Sequence, residues 1–378
     1  MMSILFPYAQ RTKQHSLLQR EFGLRLSLLV LSTFLTLCAA IVPTISQSKL
    51  HSTSRRELLT SIPAAALSLA LVRATNLSPL NVKSGSSWLA TPGAQQLPSV
   101  ASALAAQNTA AAAAAAAARA AYARDGVAVV RGVVSYGWIQ LLRDAAEEAQ
   151  DDPGESAQYL GAATDAATFF TDLEMARRLP SFAAFALHGP CAAVAAGVTQ
   201  SNSVRYLYDQ LFVKEHGVTL PTPWHQDGGY WRVKGAQLSS VFVPLDPVST
   251  DNCLSFVPGS HRWPLHNPMH FADGTQYSGT SLPQMPDVDA MVAAGAVNLK
   301  QFELQPGDVL VFSSSTVHGG RGNWGRALST RWAGDDCTFW ARPGEGAVPT
   351  GQLNLRDGDP LRRNPAAFPL AWHAQHRA

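Results

Sequence analysis

Two short segments carry side chains whose types and spacing suit a metal ion. His225 and Asp227 lie two residues apart in the run W-H-Q-D, and His318 lies far downstream in T-V-H-G-G-R-G-N. On an extended strand, residues i and i+2 point to the same side, so the first two can face one ion. Two His and one carboxylate on one face of an octahedral ion form the ligand set of non-haem iron(II), with positions left open for a co-substrate and O₂. We therefore take these three residues as candidate iron ligands.

Composition narrows the class of protein. The chain has 378 residues, of which 46% are hydrophobic and 15% are charged, which is enough for a sizeable core. The formal net charge of +2 argues against a dedicated nucleic-acid binder. Four scattered Cys without a C-x-x-C pair favour neither structural zinc nor a disulfide framework.

The first hundred residues have the composition of a targeting segment. Basic residues precede an uncharged apolar run at 26–42, which predicts a signal sequence, with an uncleaved membrane anchor as the competing interpretation. Behind it, an acid-poor, Ser-rich segment with Arg55-Arg56 is typical of organelle transit peptides and of twin-arginine signals. We expect residues 1–100 to be a presequence and linker that directs the chain to a plastid, with the thylakoid lumen as the narrower placement. The secretory pathway, or anchoring by residues 26–42, is the alternative.

The catalytic region is expected at 123–345. It is preceded at 101–122 by an Ala-rich segment that favours a helix but has no large apolar face to bury, so we expect a linker or leader helix. It is followed at 346–378 by a polar, Pro-rich stretch that we expect to be a loose tail.

The pattern inside 123–345 predicts a β-rich fold with helices at its start. A strand at 127–130 precedes a capped amphipathic helix at 135–150, and a second helical stretch at 181–198 is interrupted by Pro190. Short strands separated by Gly, Pro, Asn and Asp turns are predicted at 204–213, 238–245, 254–257, 309–312, 328–332 and 337–340. We expect an α+β class whose core is a double-stranded β-helix (a jelly roll of the cupin type) with flanking packing helices.

Five segments in order resemble the phytanoyl-CoA dioxygenase family of iron(II)/2-oxoglutarate-dependent oxygenases. They are D-Q-L-F-V-K-E-H-G at 209–217, T-P-W-H-Q-D-G-G-Y-W at 222–231, D-N-C-L-S-F-V-P-G-S-H-R-W at 251–263, L-Q-P-G-D-V-L-V-F at 304–312, and T-V-H-G-G-R-G-N leading into R-A-L-S-T-R-W at 316–332.

This resemblance implies iron(II), 2-oxoglutarate as co-substrate, and O₂. In the family, an Arg after the distal His binds the far carboxylate of 2-oxoglutarate, and a guanidinium suits that task because it donates two parallel hydrogen bonds. Arg326 matches that place, with Arg331 as the fallback. Gln210 matches a position lining the co-substrate pocket. Trp224, Tyr230 and Trp231 flank the His–Asp pair and are candidates for the substrate cavity wall, with aromatic core packing as the alternative.

The implied activity is hydroxylation of an unactivated C–H bond in a small-molecule or lipid-like metabolite, with release of succinate and CO₂. Related halogenases lack the carboxylate ligand, so the presence of Asp227 favours hydroxylation. The insertion at 264–300 is expected to form a lid over the site. No nucleic acid, and no membrane for the catalytic domain, is expected as a partner. The alternatives are a family member that binds metal without turnover and a cupin-like metal enzyme that does not use 2-oxoglutarate.

Overall fold

The structure, a computed structural model, describes residues 100–160, 169–215, 220–271, 273–320, 322–342 and 348–374. The predicted presequence, with its apolar run at 26–42, lies outside the described residues. Targeting to a plastid therefore stays a prediction.

Helices are concentrated before the main strands. They are α1 (Val100–Ala117), α2 (Arg119–Asp125), α3 (Tyr136–Asp151), α4 (Pro180–His188), α5 (Cys191–Thr199) and α6 (Val288–Ala293). The amphipathic pattern predicted α3 correctly: its N-cap is Ser135, and Trp138, Ile139 and Leu142 lie on its buried face.

The strands follow one another as short antiparallel segments. They are β1 (Val127–Val130), β2 (Gln158–Leu160), β3 (Phe169–Leu173), β4 (Ser203–Lys214), β5 (Thr222–His225), β6 (Val233–Lys234), β7 (Leu238–Pro244), β8 (Ser255–Phe256), β9 (Val309–Ser313), β10 (His318–Gly320), β11 (Arg326–Ala333), β12 (Thr338–Phe339) and β13 (Leu370–His373).

Two sheets contribute residues to one central cavity. The large sheet has the order β1-β9-β7-β11-β4-β3-β2, with β13 also paired to β4, and the small sheet has the order β5-β10-β8. Strands β6 and β12 form a separate two-stranded pair. The fold is the predicted double-stranded β-helix, and because its strands are short, loops reach the cavity from several points along the chain.

Strand alternation separates the two faces of the large sheet. On β4, Tyr208, Gln210 and Phe212 face the cavity, whereas Leu211 and Val213 belong to the core shared with the helices. This alternation follows from the two-residue period of a strand, and it decides which polar residues can reach the site.

The stretch Pro180–Thr199 is apolar and long enough to cross a membrane by length and composition, but most of it is buried inside the fold. It consists of α4 and α5, which meet at Pro190 as the sequence predicted. The two helices pack on the outer face of the large sheet, so their apolar character is accounted for by the core.

The Ala-rich helix α1 is part of the core and not a linker, which corrects the expectation for 101–122. Ala111 and Ala115 are buried. A Cβ added at Gly197 of α5 would lie 2.6 Å from the carbonyl oxygen of Ala112. Small side chains on both helices therefore allow close backbone approach, and burial here does not need a face of large apolar residues.

The segment after residue 345 also differs from the expected loose tail. Strand β13 pairs with β4, and Val348, Leu353, Leu361 and Phe368 are buried in one hydrophobic cluster. These apolar residues are spaced too widely to give a helical or strand period, which is why the sequence pattern did not reveal them.

Candidate metal centre

The small sheet brings the two candidate His ligands together. His225 ends β5 and His318 begins β10, and the two residues are directly paired across the antiparallel strands. Asp227 lies just after β5 and begins a 3₁₀ turn, Asp227–Tyr230. The convergence therefore depends on a turn after the strand, whereas the spacing of His225 and Asp227 had predicted that both lie on one extended strand.

The three side chains form a compact, buried donor set. The Nε2 atoms of His225 and His318 lie 3.6 Å and 3.9 Å from Oδ1 of Asp227. One donor atom from each residue lies within 4.8 Å of the others, and among the described residues this is the group with metal-site geometry. Donors about 2.1 Å from one ion and at right angles are about 3 Å apart, so only a small closure is needed to hold a metal.

Backbone carbonyls fix the orientation of both imidazoles. The Nδ1 of His225 donates to the carbonyl oxygen of Pro223 at 2.8 Å, and that of His318 donates to the carbonyl oxygen of Thr316 at 2.9 Å. Because a carbonyl only accepts, each Nδ1 carries the proton and each Nε2 lone pair is left for a metal.

The electrostatics keep the donors in their binding forms. Burial alone would raise the pKa of Asp227, but Arg331, His225 and His318 together lower it below the usual value for an aspartate. Burial and the neighbouring His225 lower the pKa of His318 to about 3. At neutral pH the site therefore offers an ionised carboxylate and a neutral His318 imidazole with its proton on Nδ1.

Two residues from the large sheet contact or adjoin Asp227. In the sheet register, Arg331 of β11 is paired with Tyr208 of β4 on one side and with Ser240 of β7 on the other. The Ser240 hydroxyl donates to Oδ2 of Asp227. The Nε of Arg331 lies 4.0 Å from the same oxygen. Ser240 and Arg331 therefore hold the Asp227 carboxylate through Oδ2, the oxygen that faces away from the two imidazoles.

Arg331 and Gln210 form a polar pair on the cavity wall. The Nη2 of Arg331 donates to Oε1 of Gln210 at 3.1 Å, and its Nη1 donates to the carbonyl oxygen of Ser329 at 2.7 Å. The amide nitrogen of Gln210 donates to the Thr171 hydroxyl at 3.0 Å. Within the described chain, the Nε of Arg331 is buried without a hydrogen-bond partner. An unsatisfied buried donor of this kind is costly, and an anion would satisfy it.

Arg326 lies on the opposite face of β11, away from the cavity. Its Nε and Nη2 donate to the two oxygens of Asp246 at 3.0 Å and 2.9 Å, and its Nη1 lies 3.5 Å from Glu147 of α3. The reason is parity: Arg326 and Arg331 are five residues apart, so on a regular strand they point to opposite sides. The structure brings the fallback Arg331 to the site and does not bring Arg326 there.

The three aromatic candidates divide in the same way. Tyr230 lines the cavity. Trp224 precedes His225 on β5, packs outward with Val257 and Val317, and donates to Asp289 at 3.1 Å. Trp231 is fully buried and donates to the Tyr208 hydroxyl at 2.7 Å. Trp224 and Trp231 therefore pack in hydrophobic clusters, as the alternative prediction of aromatic core packing stated.

The insertion at 264–300, which was expected to form a lid, supplies cavity residues that were not among the candidate site residues. Met269, His270, Phe271 and Tyr277 line the cavity beside the metal ligands. The insertion has little regular structure apart from α6, so no period marked which of its residues face inward. The cavity has a volume of about 260 Å³.

Comparisons with known proteins agree with this architecture. Residues 122–331 match the family model described as Phytanoyl-CoA dioxygenase (PhyH). The structure is similar to the non-heme alpha ketoglutarate dependent carbocyclase SnoK from nogalamycin biosynthesis, with a TM-score of 0.53, 24% identity, and coverage of 68% of this chain and 96% of SnoK. It is also similar to the epimerase SnoN in complex with Fe3+, alpha ketoglutarate and nogalamycin RO, with a TM-score of 0.53, 22% identity, and coverage of 69% and 99%. At these identities the likeness establishes the fold. No curated protein matches the chain.

Proposed function

The chain belongs to the phytanoyl-CoA dioxygenase family, and from this premise we propose that it is an iron(II)- and 2-oxoglutarate-dependent oxygenase that hydroxylates a C–H bond of a small molecule. The observation that carries the proposal is the buried His225–Asp227–His318 set next to the unpaired Nε of Arg331. One feature suits a divalent cation and the other suits an anion beside it. A 2-oxo acid that chelates the metal ion through one end and carries a carboxylate would use both features.

The donor chemistry fits iron(II). Two imidazoles and one carboxylate would hold iron(II) and leave positions for a chelating 2-oxo acid and for O₂. Oxidative decarboxylation of 2-oxoglutarate by O₂ at bound iron(II) would give succinate, CO₂ and the oxidising equivalent that converts a substrate C–H bond to C–OH.

The protein's own contribution is orientation. Ser240 and Arg331 restrain Oδ2 of Asp227, which leaves Oδ1 for the metal. Arg331 binds a carboxylate of 2-oxoglutarate with the N–H groups that Ser329 and Gln210 do not use. Gln210 holds the guanidinium plane in place, because its own amide is held by Thr171.

The cavity walls make a second contribution, which is the exclusion of water from the site. Phe312 lies 4.7 Å from the His318 ring and Phe271 lies 4.9 Å from the His225 ring, measured between ring centroids. Apolar rings against both imidazoles would limit the access of water to a bound metal. The carboxylate ligand Asp227 supports hydroxylation over halogenation, since no ligand position is left for a halide in its place.

Anaerobic reconstitution of the full chain with iron(II), followed by O₂ and 2-oxoglutarate labelled at C1, tests the proposal. We expect about one iron per chain and release of labelled CO₂ with equal succinate. Asp227→Ala should abolish both iron binding and turnover, whereas Asp151→Ala, which removes an exposed carboxylate at the end of α3, should change neither.

Three results would each overturn a part of the proposal. Turnover that survives Asp227→Ala would disprove the ligand set. Stoichiometric iron without succinate, under a broad panel of metabolites, would indicate a member that binds metal without turnover. O₂ consumption without 2-oxoglutarate would indicate a metal enzyme of a different reaction class.

A further inference from the structure

Four rings close the cavity on the side of His225. We call Tyr230, His270, Phe271 and Tyr277 the lid cluster. Their ring centroids are linked in a chain: Phe271 lies 4.9 Å from His225 and 5.9 Å from Tyr230, Tyr230 lies 5.5 Å from Tyr277, and Tyr277 lies 4.4 Å from His270. A molecule held by this cluster therefore lies directly beside a metal ligand.

The lid cluster is held in place by the backbone. The Tyr230 hydroxyl donates to the carbonyl oxygen of Met269 at 2.7 Å and accepts from its N–H at 3.0 Å. This double contact joins the insertion to the turn that carries Asp227. The rings are thus arranged before a ligand arrives, which lowers the entropy cost of binding.

The residues that line the cavity carry little charge, although the guanidinium of Arg342 lies over the Tyr277 ring of the lid cluster, 5.8 Å from its centroid. Apart from imidazoles, the ionisable acidic and basic side chains among the described lining residues are Asp227 and Arg331. The tyrosines Tyr208 and Tyr230 add polarity without charge, because a phenol is neutral at neutral pH. A cationic substrate group would be desolvated against aromatic walls without a partner, which is strongly unfavourable. An anionic one would compete with the co-substrate carboxylate for Arg331.

A cation held by the rings is the competing occupant, since aromatic cages bind quaternary ammonium groups. Such a cage usually gains from a nearby free carboxylate. Here Asp227 already accepts from Ser240 and lies beside Arg331, so among the described lining residues no uncompensated carboxylate faces the lid cluster.

We infer that the lid cluster is the substrate subsite, and that it takes an uncharged molecule with a flat, apolar ring. The inference rests on the proposed function for the reaction itself. The rings lie at varied angles, 85° between Tyr230 and Tyr277 and 39° between Tyr230 and Phe271. They therefore offer both faces and edges to an inserted ring, the two arrangements that aromatic pairs prefer.

Calorimetric binding of four naphthalene-sized probes to the full chain tests this assignment. The probes are 2-naphthol, its non-planar analogue decahydro-2-naphthol, the anion 2-naphthoate and the cation (naphthalen-2-yl)methylammonium. We expect 2-naphthol to bind about tenfold more tightly than the saturated alcohol and roughly a hundredfold more tightly than the cation. Because Arg331 keeps a free donor when 2-oxoglutarate is absent, 2-naphthoate is compared in Arg331→Gln, where it should bind roughly a hundredfold less tightly than 2-naphthol.

Substitutions in the lid cluster test whether the probe binds in the cavity. Phe271→Leu and Tyr277→Leu should each weaken 2-naphthol binding about three- to tenfold, and Phe271→Tyr, which keeps the ring, should retain it. Tyr159→Leu, an exposed tyrosine on β2, is the matched control and should have no effect. Equal binding of the saturated alcohol, tighter binding of the cation, or insensitivity to both lid variants would overturn the inference.

The measurement needs no iron and no 2-oxoglutarate, so the two proposals can fail separately. Ring binding without succinate formation would refute the proposed reaction and leave the subsite. Succinate formation without ring binding would refute the subsite alone.

Discussion

The Nε of Arg331 lies 4.0 Å from Oδ2 of Asp227, on the side of the carboxylate that faces away from the two imidazoles. The same guanidinium lies over the Tyr208 ring, 4.9 Å from its centroid. One cation therefore both lowers the pKa of the candidate metal ligand and presents a free donor to the cavity. We therefore expect metal binding and co-substrate binding to be coupled through this residue.

The two arginines of β11 should have separable effects. Arg331→Gln removes the charge and the paired donors, so the Kd for 2-oxoglutarate should rise about 10- to 100-fold. Arg331→Lys keeps the charge without the fork and should give an intermediate Kd. Anaerobic calorimetry with iron(II) present measures both.

Arg326→Gln is the matched control for that experiment. It breaks the partly exposed pair with Asp246 on the far face of the sheet and should leave the Kd for 2-oxoglutarate unchanged. A rise in Kd with Arg326→Gln and none with Arg331→Gln would show that the co-substrate binds elsewhere.

Ser240 should be required for tight metal binding. Its hydroxyl donates to the oxygen of Asp227 that faces away from the metal position, so Ser240→Ala frees the carboxylate to rotate. We expect iron(II) affinity to fall about 10- to 100-fold, as when other outer hydrogen bonds to metal ligands are removed. Titration with iron(II) or with cobalt(II) as a spectroscopic substitute gives the affinity.

The preceding residue offers a close control. Ser239 is equally buried, but its side chain points to the other face of β7, where its hydroxyl lacks a hydrogen-bond partner in the described part of the chain. Ser239→Ala should leave metal affinity unchanged. Equal losses in the two variants would mean that Ser240 acts through packing alone.

The sequence revealed most of the site because its signals were local. The spacing of His225 and Asp227 and the turn residues around them predict the ligand pair without knowledge of distant contacts. The β-branched residues likewise predict the strands. The choice between Arg326 and Arg331 depended on which face of β11 is turned toward the cavity. That orientation is set by the pairing of β11 with β4 and β7, and the sequence of β11 alone does not reveal it. The offset of five positions between the two arginines would have shown that they cannot share a face of a regular strand.

The parts that sequence did not predict depend on contacts between distant segments. Burial of α1 relies on close approach to Gly197, and burial of Phe368 relies on a cluster assembled from several loops. The lid cluster joins Tyr230 to residues about forty positions later, through an insertion without regular periodicity. Long-range packing of this kind leaves no pattern at the scale of a helix or strand.

Asp209 should make stability depend on pH in mildly acidic solution. Burial raises its pKa to about 6, although the backbone N–H of Ala176 donates to it at 3.2 Å. Between about pH 4 and pH 6 the folded state holds a proton that the unfolded state has released, so stability falls as pH rises through this window. The loss is on the order of 3 kcal/mol and is complete above pH 6.

Urea unfolding of the protein and of Asp209→Asn from pH 4 to pH 8 isolates this effect. The difference in unfolding free energy should decline between pH 4 and pH 6 and be flat above it. Asp151→Asn, at an exposed site, corrects for general acid effects. A flat difference throughout would show that Asp209 titrates normally in the fold.

Gly197 should be the point at which α1 is held against the core. A methyl group there would lie 2.6 Å from both the carbonyl oxygen of Ala112 and the Cβ of Ala115, so Gly197→Ala must push α1 away. Overpacking of this kind costs about 1–3 kcal/mol, whereas helix propensity alone would make the same substitution stabilising by about 1 kcal/mol. Because the two effects have opposite signs, the direction of the change in unfolding free energy decides between a packed and a detached helix. Ala113→Leu, on the exposed face of α1, should change stability by less than about 0.5 kcal/mol. A stabilising Gly197→Ala would show that α1 is the detached linker that its composition first indicated.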